Sequence, residues 1–404
     1  MRVAIIGGGA AGFFAAIRAK ETSPHSDVAI YEKGSRPLAK VAITGGGRCN
    51  LTNSFAQVKD LKQVYPRGHQ LMKRLFKVFD YRDVYQWFEN HGVPLVTQDD
   101  ECVFPRSQSS QSIIDCLINE TRRLGVKIFT HHAFEQFVPQ ESSLHLIFNK
   151  GQFETDADRV IITTGGHPHL SAFDNLASLG HEITPPVPSL FTFNVADKDF
   201  RALMGTVVEQ ATATVVGTKM RSQGPLLITH WGMSGPCILR LSSYAAQWSA
   251  ERQYRFQVAV NWTGESNASI VSEELSEIVV RNGAKQLSNI RPYDLPTRLW
   301  NYLLQKNGFP TEKRWNELGR KGLNKLVETL TNDIYQVDGK SNWKEEFVTC
   351  GGVALSSINM NTLESKHVSG LYFAGEVTDV DAVTGGFNLQ AAWTMGYVAG
   401  TISE

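Results

Sequence analysis

The stretch that decides the fold is residues 2–32, RVAIIGGGAAGFFAAIRAKETSPHSDVAIYE. Its first five residues form a short, apolar, β-branched run, which predicts a buried strand. Residues 10–20 then predict a helix with small side chains where it must lie close to a sheet, and residues 28–31 predict a second strand. A strand, a turn, a helix and a strand in this order form the βαβ unit of a parallel sheet. The sequence therefore predicts an α/β domain.

The turn of this unit carries the glycine pattern Gly7-x-Gly9-x-x-Gly12. Gly7 permits the tight turn, Gly9 lets backbone N–H groups approach a pyrophosphate, and Gly12 lets the helix pack closely on the strand. Glu32 follows Gly12 by 20 residues, where a carboxylate accepts hydrogen bonds from the ribose hydroxyls of an adenosine. The pattern predicts a dinucleotide site, and the alternative is a structural glycine turn with an incidental glutamate.

Three further segments favour FAD over a nicotinamide as the resident dinucleotide. Residues 40–53, KVAITGGGRCNLTN, predict a wall of backbone groups, with Arg48 supplying charge near phosphate or flavin carbonyls. Thr164-Gly165-Gly166 continues a predicted strand at residues 159–163. Residues 370–376, GLYFAGE, precede TGGFNLQ at 384–390, where a helix begins whose N-terminus we expect to face the flavin's pyrimidine ring.

The remaining chain predicts three pieces. Helical spacing marks residues 70–91 and 108–124, strands are expected within 126–149, and a proline cluster at 185–188 marks a boundary. Residues 190–262 have a β pattern, residues 265–335 are helical and polar, and a last helix is expected at 388–401. We therefore predict a nucleotide domain from 1–189 and 348–404, a β-barrel-like inserted domain from 190–264 and 336–347, and a helical insert at 265–335.

Four segments give the chain a family resemblance. They are ITGGGRCNLTN at 43–53, LITHWGMSGP at 227–236, GGVALSSIN at 351–359 with TLESK at 362–366, and the run from Gly370 to Gly400. These segments, which are long and specific, resemble the bacterial NAD(P)/FAD-dependent oxidoreductases, or aminoacetone-oxidase-type flavoproteins, over nearly the whole chain. The resemblance implies an α/β (α+β overall) architecture: a glutathione-reductase-type, Rossmann-like FAD domain interrupted by a β-barrel-like domain with a helical subdomain.

The resemblance and the glycine patterns together give the predicted FAD contacts. They are Gly7, Gly9, Ala11, Gly12, Glu32, Lys33, Lys40, Thr44, Gly46, Gly47, Arg48, Asn50, Thr164, Gly165, Gly166, Gly375, Glu376, Gly385, Gly386, Asn388, Leu389 and Gln390. No second GxGxxG pattern occurs, so NADH or NADPH is expected only as a transient donor, and the alternative is that the substrate itself supplies the hydride. No metal site is predicted.

Three stretches depart from the family pattern. Leu38 and Ala39 stand where the family usually has Arg and Gly before the lysine matched by Lys40. The segment from His167 to His181 is shorter than usual and lacks a glycine-rich extension, and residues 187–193 replace a more aliphatic stretch. The second departure affects contacts on the adenine or substrate side.

Candidate catalytic residues have competing interpretations. Cys49 is either a redox or acid group beside the flavin, with Arg48 lowering its pKa, or a small packed side chain. His230 is either a proton donor or a structural histidine at a strand-to-helix turn with Ser234 as N-cap. Asp379 and Asp381 either orient the flavin edge or a substrate amine, or hold turns through backbone hydrogen bonds.

Charge and cysteine content limit the function classes. Lys+Arg and Asp+Glu are equal at 40 each, five cysteines contain no CxxC pair, and no charge-free run has the ~18 residues needed for a membrane helix. We therefore expect a cytoplasmic protein with no DNA or membrane partner, and the oligomeric state is left open.

Local charge is less even than the total. Residues 281–325 hold ten Lys/Arg against three Asp/Glu, and residues 59–82 hold seven against two. Trp300, Tyr302 and Trp315 lie among the basic residues, so a structured RNA docked by phosphate contacts and stacking is one interpretation, and a solvated helical face is the other. Three hypotheses follow: an oxidoreductase of a small metabolite, an enzyme that reduces uridine to dihydrouridine in ribosomal RNA, and a non-catalytic FAD-binding sensor.

Overall fold

The computed structural model describes residues 1–340 and 348–402. The chain divides into two compact units, Met1–Pro188 with Val348–Glu404, and Ser189–Phe347. Residues 341–347 of the predicted barrel segment 336–347 lie outside the described residues.

The secondary structure elements follow in chain order. The strands are β1 Arg2–Ile6, β2 Asp27–Tyr31, β3 Thr52–Asn53, β4 Leu95–Thr97, β5 Cys102–Pro105, β6 Lys127–Phe129, β7 Phe134–Pro139, β8 Leu144–Phe148, β9 Phe153–Ala157, β10 Arg159–Ile162, β11 Ile183–Ser189, β12 Phe193–Val195, β13 Val207–Val215, β14 Arg221–Ile228, β15 Gly232–Ser234, β16 Arg255–Asn261, β17 Asp333–Lys340, β18 Val348–Val353 and β19 Leu371–Phe373. The helices are α1 Ala10–Thr22, α2 Ala39–Ile43, α3 His69–Leu75, α4 Tyr81–Asn90, α5 Ser110–Arg123, α6 Asp174–Ser178, α7 Lys198–Arg201, α8 Pro236–Tyr244, α9 Ala246–Glu251, α10 Ala268–Asn282, α11 Thr297–Lys306, α12 Gly319–Thr331 and α13 Phe387–Gly400.

The first unit is built on a parallel sheet in the order β19-β10-β1-β2-β6. Val3 pairs with Arg159 on one side and with Val28 on the other, and the residues of β1 after Arg2 are buried. Continuous apolar strands of this kind are expected where helices cover both faces of a sheet. The order places the carboxyl ends of β1, β2 and β10 side by side, which is where nucleotides bind in such sheets. The α/β prediction for this part is confirmed.

Helix α13, from the C-terminal part of the chain, packs directly on α1. A Cβ on Gly396 would lie 2.4 Å from the Ala11 carbonyl oxygen, and one on Gly400 would lie 2.4 Å from that of Ala15. Only glycine permits so close an approach of two helix backbones. The N-terminal and the C-terminal parts of the chain therefore pack together in the first unit.

Three small sheets complete the first unit. Strands β3, β5 and β4 form one antiparallel sheet, and β7, β8 and β9 form another. Strands β11 and β18 form a two-stranded sheet, in which a Cβ on Gly351 would lie 2.6 Å from the Pro185 carbonyl oxygen.

The second unit contains a closed barrel in the order β12-β15-β14-β13-β16-β17. Its interior is filled by alternating buried side chains such as Phe193, Ala213 and Val258. Helices α8 and α9 interrupt residues 190–262, where a purely β pattern was expected, and β17 begins at Asp333, inside the segment expected to be helical.

Helices α10, α11 and α12 share a core with the barrel strands. Trp300 and Trp315 are fully buried and stack at 6.1 Å between ring centroids, while the Tyr302 hydroxyl donates to Asp197. The interpretation in which these three aromatic residues stack on RNA bases is therefore wrong, because their rings lie in the hydrophobic core of the helical region.

The helical spacing at residues 70–91 corresponds to two helices, α3 and α4, rather than to one. The break has a local cause. The Asp80 side chain accepts from the N–H groups of Arg82 and Asp83, and the Asp83 side chain accepts from the Asp80 N–H, which forms a capping box. Among the helices of the described ranges, none combines the length and apolar character needed to cross a bilayer.

Candidate cofactor and active site

The glycine turn after β1 leaves the N-terminus of α1 open. Gly7 has φ +112° and its N–H donates to Tyr31 O at 2.8 Å, which ties the turn to β2. A Cβ on Gly12 would lie 2.0 Å from the Gly7 carbonyl oxygen, so this position must be glycine for the helix to meet the turn. Gly9 is the N-cap, no side chain caps the helix, and a Cβ there would meet nothing within 4 Å. The open N–H groups and the helix dipole suit a phosphate group.

Glu32 is fixed by backbone groups at the end of β2. Its Oε2 accepts from Gly8 N–H at 2.8 Å, and its Oε1 accepts from Gly34 N–H at 2.6 Å. Each carboxylate oxygen has a second lone pair available for a ligand hydroxyl. The carboxylate is thus oriented in the way that recognition of a ribose requires.

A cavity of about 700 Å³ opens at the carboxyl ends of β1, β2 and β10, within the range of ligand pockets. Gly7, Glu32, Lys33 and Thr164 from the predicted set line it. The other lining residues come mainly from residues 132–136, which the sequence did not single out, and from the segment after His167, whose departure from the family pattern affects adenine-side or substrate-side contacts. They include His132, Phe134, His167, His169, Ala172, Phe173 and Leu176. His132 reaches the cavity because its segment pairs with Glu32: Glu32 N–H donates to Phe129 O and His132 N–H donates to Glu32 O. This pairing is a tertiary feature with no local sequence signal.

His167 lies at this cavity in the segment that departs from the family pattern. Burial, and then the charge of Lys33, lower the pKa of His167 below its ordinary value of 6.5. The Nδ1 of His167 accepts from the His169 N–H at 3.4 Å, so the neutral ring carries its proton on Nε2, which can donate to a purine edge without adding charge.

The segment from Lys40 to Asn50 continues the site. Leu38 N–H donates to Gly8 O at 2.7 Å, which fastens the segment to the phosphate turn. Gly45, Gly46 and Gly47 have consecutive φ values of +58°, +69° and +85°, which side chains rarely adopt. The exposed Arg48 guanidinium lies 4.4 Å from the Phe104 ring centroid and donates from Nε to Gly45 O at 3.1 Å. These three glycines therefore form a left-handed run, and their contact with FAD stays a prediction.

Predicted residues from three distant parts of the chain meet at Glu376. Its Oε2 lies 3.1 Å from Lys40 Nζ, and its Oε1 accepts from Thr349 N–H at 2.8 Å. A Cβ on Gly166 would lie 2.6 Å from the same Oε1. Thr349 was not identified from the sequence, because its contribution is a backbone N–H in β18.

The turn before α13 is held against β3. Gly386, in a left-handed conformation, is the N-cap of α13, and no side chain caps this helix. The Asn388 amide closes a pair of hydrogen bonds with Ala382, and Gln390, fully buried, accepts from Thr52 Oγ1 at 2.5 Å. The side chains of Asn388 and Gln390 thus hold the turn, and the groups free to meet a ligand are backbone N–H groups of the helix.

Asp381 and Asp379 differ in their partners. Asp381 is fully buried and forms a bidentate ion pair with Arg67, a residue that the sequence had not singled out. Asp379 Oδ2 accepts from Thr184 Oγ1 at 3.2 Å, while its buried Oδ1 has no well-formed hydrogen bond within the part of the chain that the structure describes. Burial raises the pKa of Asp379 above 3.8, and the Thr184 hydrogen bond and the Arg67 charge offset part of that rise.

Cys49 and His230 lie in different units. Cys49 is fully buried, and burial raises the pKa of its thiol to about 12, against a smaller lowering by Thr44. A thiol that stays protonated favours the packed-cysteine interpretation. His230 is exposed in the turn between β14 and β15 of the second unit, with its ring 4.0 Å from that of Trp231. The prediction that Ser234 is an N-cap is wrong, because α8 begins after Gly235 with Pro236 in its first turn.

Among the described residues, no group of three or more His, Cys, Asp or Glu side chains is arranged to hold a metal ion.

Comparisons with known proteins agree with this architecture. The model of the family described as HI0933-like protein Rossmann domain matches residues 1–402. A 3-dehydro-bile acid delta(4,6)-reductase of Clostridium scindens is 29% identical over 99% of this chain and 98% of its own length. A ribosomal RNA dihydrouridine synthase of Haemophilus influenzae is 26% identical over 97% of this chain and 96% of its own.

A solved structure of low sequence identity resembles this chain in its fold. The 3-ketosteroid-delta4-(5alpha)-dehydrogenase of Rhodococcus jostii is 15% identical, with a TM-score of 0.51 over 99% of this chain and 95% of its own. The family match over residues 1–402, together with the relatives that cover the same length, excludes the hypothesis of a non-catalytic sensor. This chain is an FAD-dependent oxidoreductase that belongs to the HI0933-like protein Rossmann domain family.

Proposed function

We propose that this chain is an NAD(P)H-linked reductase that saturates an electron-poor carbon–carbon double bond. The names of two curated relatives support this class of reaction. One is a delta(4,6)-reductase of a 3-dehydro bile acid, and the other forms dihydrouridine. Both names describe loss of a C=C bond conjugated to a carbonyl group. We therefore infer that this chain reduces the same kind of double bond.

The cavity beside Glu32 is the observation that best supports the proposed binding position of the cofactor. Gly9 and the open α1 N-terminus would bind the pyrophosphate, Glu32 the adenosine ribose, and the cavity of about 700 Å³ with His167 the adenine. Lys40, Glu376 and the N-terminus of α13 would hold the flavin half. FAD, when bound, supplies hydride transfer at its N5 atom.

The residues of the flavin half have definable electrostatic roles. The N-terminus of α13 carries a partial positive charge and has no side-chain cap, so it would stabilise negative charge on a neighbouring group. Lys40 and Glu376 neutralise each other at 3.1 Å, so their pair adds hydrogen-bonding atoms without adding net charge. The buried Arg67–Asp381 pair would hold the loop between β19 and α13 in position.

The test is anaerobic stopped-flow absorbance of the purified protein in the visible flavin band. Rapid bleaching by NADH or NADPH is the expected result, because a transient donor needs no second dinucleotide site. The reduced protein is then mixed with 2-cyclohexen-1-one or, as a matched control, with cyclohexanone. Reoxidation by the unsaturated ketone alone is expected. If neither nicotinamide bleaches the flavin, NAD(P)H is not the electron donor. If the two ketones reoxidise the flavin equally, the acceptor is not a carbon–carbon double bond conjugated to a carbonyl group.

A second candidate is the reduction of uridine in ribosomal RNA. The C5–C6 bond of uracil is conjugated to a carbonyl, so it belongs to the same acceptor class. The observation that favours this candidate is a set of cations in residues 285–321, among them Lys285, Arg314 and Arg320, that are exposed and form no ion pair with any residue that the structure describes. Salt-sensitive RNA binding would distinguish it from a small-molecule reductase.

We also propose a cytoplasmic location. All five cysteines are buried free thiols. Free thiols persist in reducing compartments. Fractionation of the native source, with the protein recovered outside the cytoplasm, would contradict this location.

A further inference from the structure

We infer that a cationic patch on the helical part of the second unit binds the phosphate backbone of a structured RNA. The patch consists of Lys285, Lys313, Arg314, Arg320 and Lys321. This inference rests on the second candidate function above and names the surface that would serve it. Four of the five side chains are exposed, and Lys313 is partly exposed.

Backbone pairing brings the first three members together. Leu287 N–H donates to Lys313 O at 2.8 Å, and Trp315 N–H donates to Lys285 O at 3.1 Å, so the two segments run side by side. The buried Leu287 and Trp315 anchor these segments in the core, and Trp300 Nε1 donates to Leu287 O at 2.8 Å. The backbone that carries these three residues is therefore held in place by hydrogen bonds and by the core.

Arg320 and Lys321 lie in the first turn of α12, which begins at Gly319. This turn contains no acidic residue, and the N-cap residue, Leu318, offers no side-chain hydrogen bond. Cations are unfavourable at the positive end of a helix dipole, where carboxylates normally stabilise. Two cations at this end are therefore slightly unfavourable for the helix, and a bound anion would offset that effect.

Two exposed carboxylates, Glu312 and Glu317, lie beside the patch and reduce its net charge. Glu312 Oε1 accepts from Thr311 Oγ1, and Glu317 Oε2 accepts from Arg314 N–H, and neither forms an ion pair with a patch side chain in the described residues. Other cations of this region are already engaged: Arg281 with Glu277, Lys306 with Asp333, Lys325 with Asn307 O, and Arg298 with the carbonyls of Ala202 and Met204. In the described residues Lys313 does not pair with Glu312, and its Nζ lies 5.8 Å from the Phe309 ring centroid.

The composition of the patch points to RNA phosphates. The total charge of the chain is zero, so the excess of cations in this region is local. The aromatic rings of this region are buried, so single-stranded bases find no stacking platform among Trp300, Tyr302 and Trp315. Contact through phosphates without base stacking is the mode by which proteins bind helical RNA.

The test measures binding of a fluorescein-labelled RNA hairpin by anisotropy between about 50 and 200 mM salt, a range over which phosphate contacts lose affinity steeply, on the order of 10³-fold for several contacts. The patch variant carries Lys313→Gln, Arg314→Gln, Arg320→Gln and Lys321→Gln. The control variant removes four exposed cations elsewhere in the second unit, Lys198→Gln, Lys219→Gln, Arg221→Gln and Arg255→Gln. Retained FAD and an unchanged thermal midpoint verify that both variants are folded.

We expect the patch variant to bind the hairpin at least about tenfold more weakly at the lowest salt, and its log–log salt slope to be smaller by about 3, since each lost phosphate contact removes ~0.7–0.9. The control variant should follow the wild type. If the wild type binds and both variants bind equally well, the patch assignment is overturned while the RNA function stands. If the wild type itself shows no salt-dependent binding, the RNA function is overturned together with the patch.

Discussion

Gly9 and Gly12 belong to one motif but have different physical roles. Gly12 is required by the protein itself, because any Cβ there would lie 2.0 Å from the Gly7 carbonyl oxygen. Gly9 faces open space and has φ −94° and ψ −169°, a conformation that any residue adopts. A side chain at Gly9 would therefore be tolerated by the fold and would occupy the space in front of the α1 N-terminus, where the pyrophosphate is proposed to bind.

The first prediction separates these two roles. Gly9→Val should purify as a folded, colourless protein, whereas Gly12→Val should be destabilised by about 1–3 kcal/mol or more, because overpacking forces the backbone apart. Flavin absorbance after gel filtration and urea unfolding of the apoproteins measure the two effects. A yellow Gly9→Val protein would contradict the phosphate-turn assignment.

A control for this pair is Gly92→Val, at a glycine outside the proposed site. Gly92 has φ +80°, and a Cβ there would meet nothing within 4 Å. The added side chain should therefore cost stability through backbone strain alone. The control variant should keep its FAD, and a colourless Gly92→Val protein would mean that loss of stability, rather than a blocked phosphate turn, releases the cofactor.

Ionisation of Asp379 lowers the stability of the folded protein. Burial raises the pKa of its carboxyl above 3.8 in the folded protein, so the folded state holds the proton more tightly than the unfolded state. The favourable contribution is then fully present below the unfolded pKa and is lost as the pH rises through the folded pKa.

The second prediction follows from this sign. Asp379→Asn keeps an oxygen that accepts from Thr184 and removes the titration. The variant's free energy of unfolding, relative to wild type, should rise as the pH increases from about 3.8, and should level off above the folded pKa. Urea unfolding at a series of pH values measures the difference. A difference that does not change with pH would mean that Asp379 has an ordinary pKa.

At the scale of elements, α4 shows how one capping residue divides a helical pattern. Residues 70–91 have apolar side chains at helical spacing throughout, yet Asp80 lies between the first helix and the second and begins the second. Burial alone would raise the pKa of Asp80, but hydrogen bonds from the Arg82 side chain and from the N–H groups of Arg82 and Asp83 lower it below 3.8.

The third prediction concerns this cap. Asp80→Ala should destabilise the protein by about 1 kcal/mol, within a range of about 0.5–2, because two N–H groups at the start of α4 lose their acceptor. Asp80→Asn is the matched control, since asparagine caps a helix as well as aspartate does. The stability that the aspartate charge contributes is present above pH 3.8 and is lost as the pH falls through its lowered pKa. In urea unfolding, the free energy by which the wild type is more stable than Asp80→Asn should therefore vanish in acid. A difference that does not change with pH would show that the charge of Asp80 does not stabilise the folded protein.

At the scale of the whole molecule, the proposed cofactor residues all belong to the first unit. Strands β11 and β18 pair where the chain leaves this unit and returns to it. Ala354 N–H donates to Glu182 O at 2.9 Å, and Gly351 lies against Pro185, so these strands run antiparallel. The departing and returning ends are therefore close enough for a short connection.

The fourth prediction uses this closeness. A chain in which a short Gly-Ser linker replaces residues 190–346 should fold and should bind FAD within about tenfold of the full chain, a difference of ~1.4 kcal/mol. Flavin fluorescence quenching on titration measures the affinity, and the same shortened chain with Gly9→Val should not bind. A shortened chain that is folded but cannot bind FAD would show that the second unit contributes to the cofactor site.

Sequence by itself determined those features that local backbone chemistry controls. The βαβ unit, the glycine turn, and the helix that starts at residue 387 follow from apolar runs and glycines whose effects act within a few residues. Their order along the chain also predicted that the nucleotide domain uses both ends of the sequence. The separate boundaries proposed for the barrel and the helical insert stay a prediction, because these parts share one core in the second unit.

Tertiary structure alone decided which distant residues meet. Arg67 is 314 residues from Asp381, Thr349 reaches Glu376 through a backbone N–H, and His132 reaches the cavity because β6 pairs with β2. The burial of Trp300 and Trp315, which removed the stacking surface expected for RNA, likewise depends on how three helices pack. The physical reason is that pairing and burial are set by packing between elements, whereas a sequence pattern reports only what each element needs for itself.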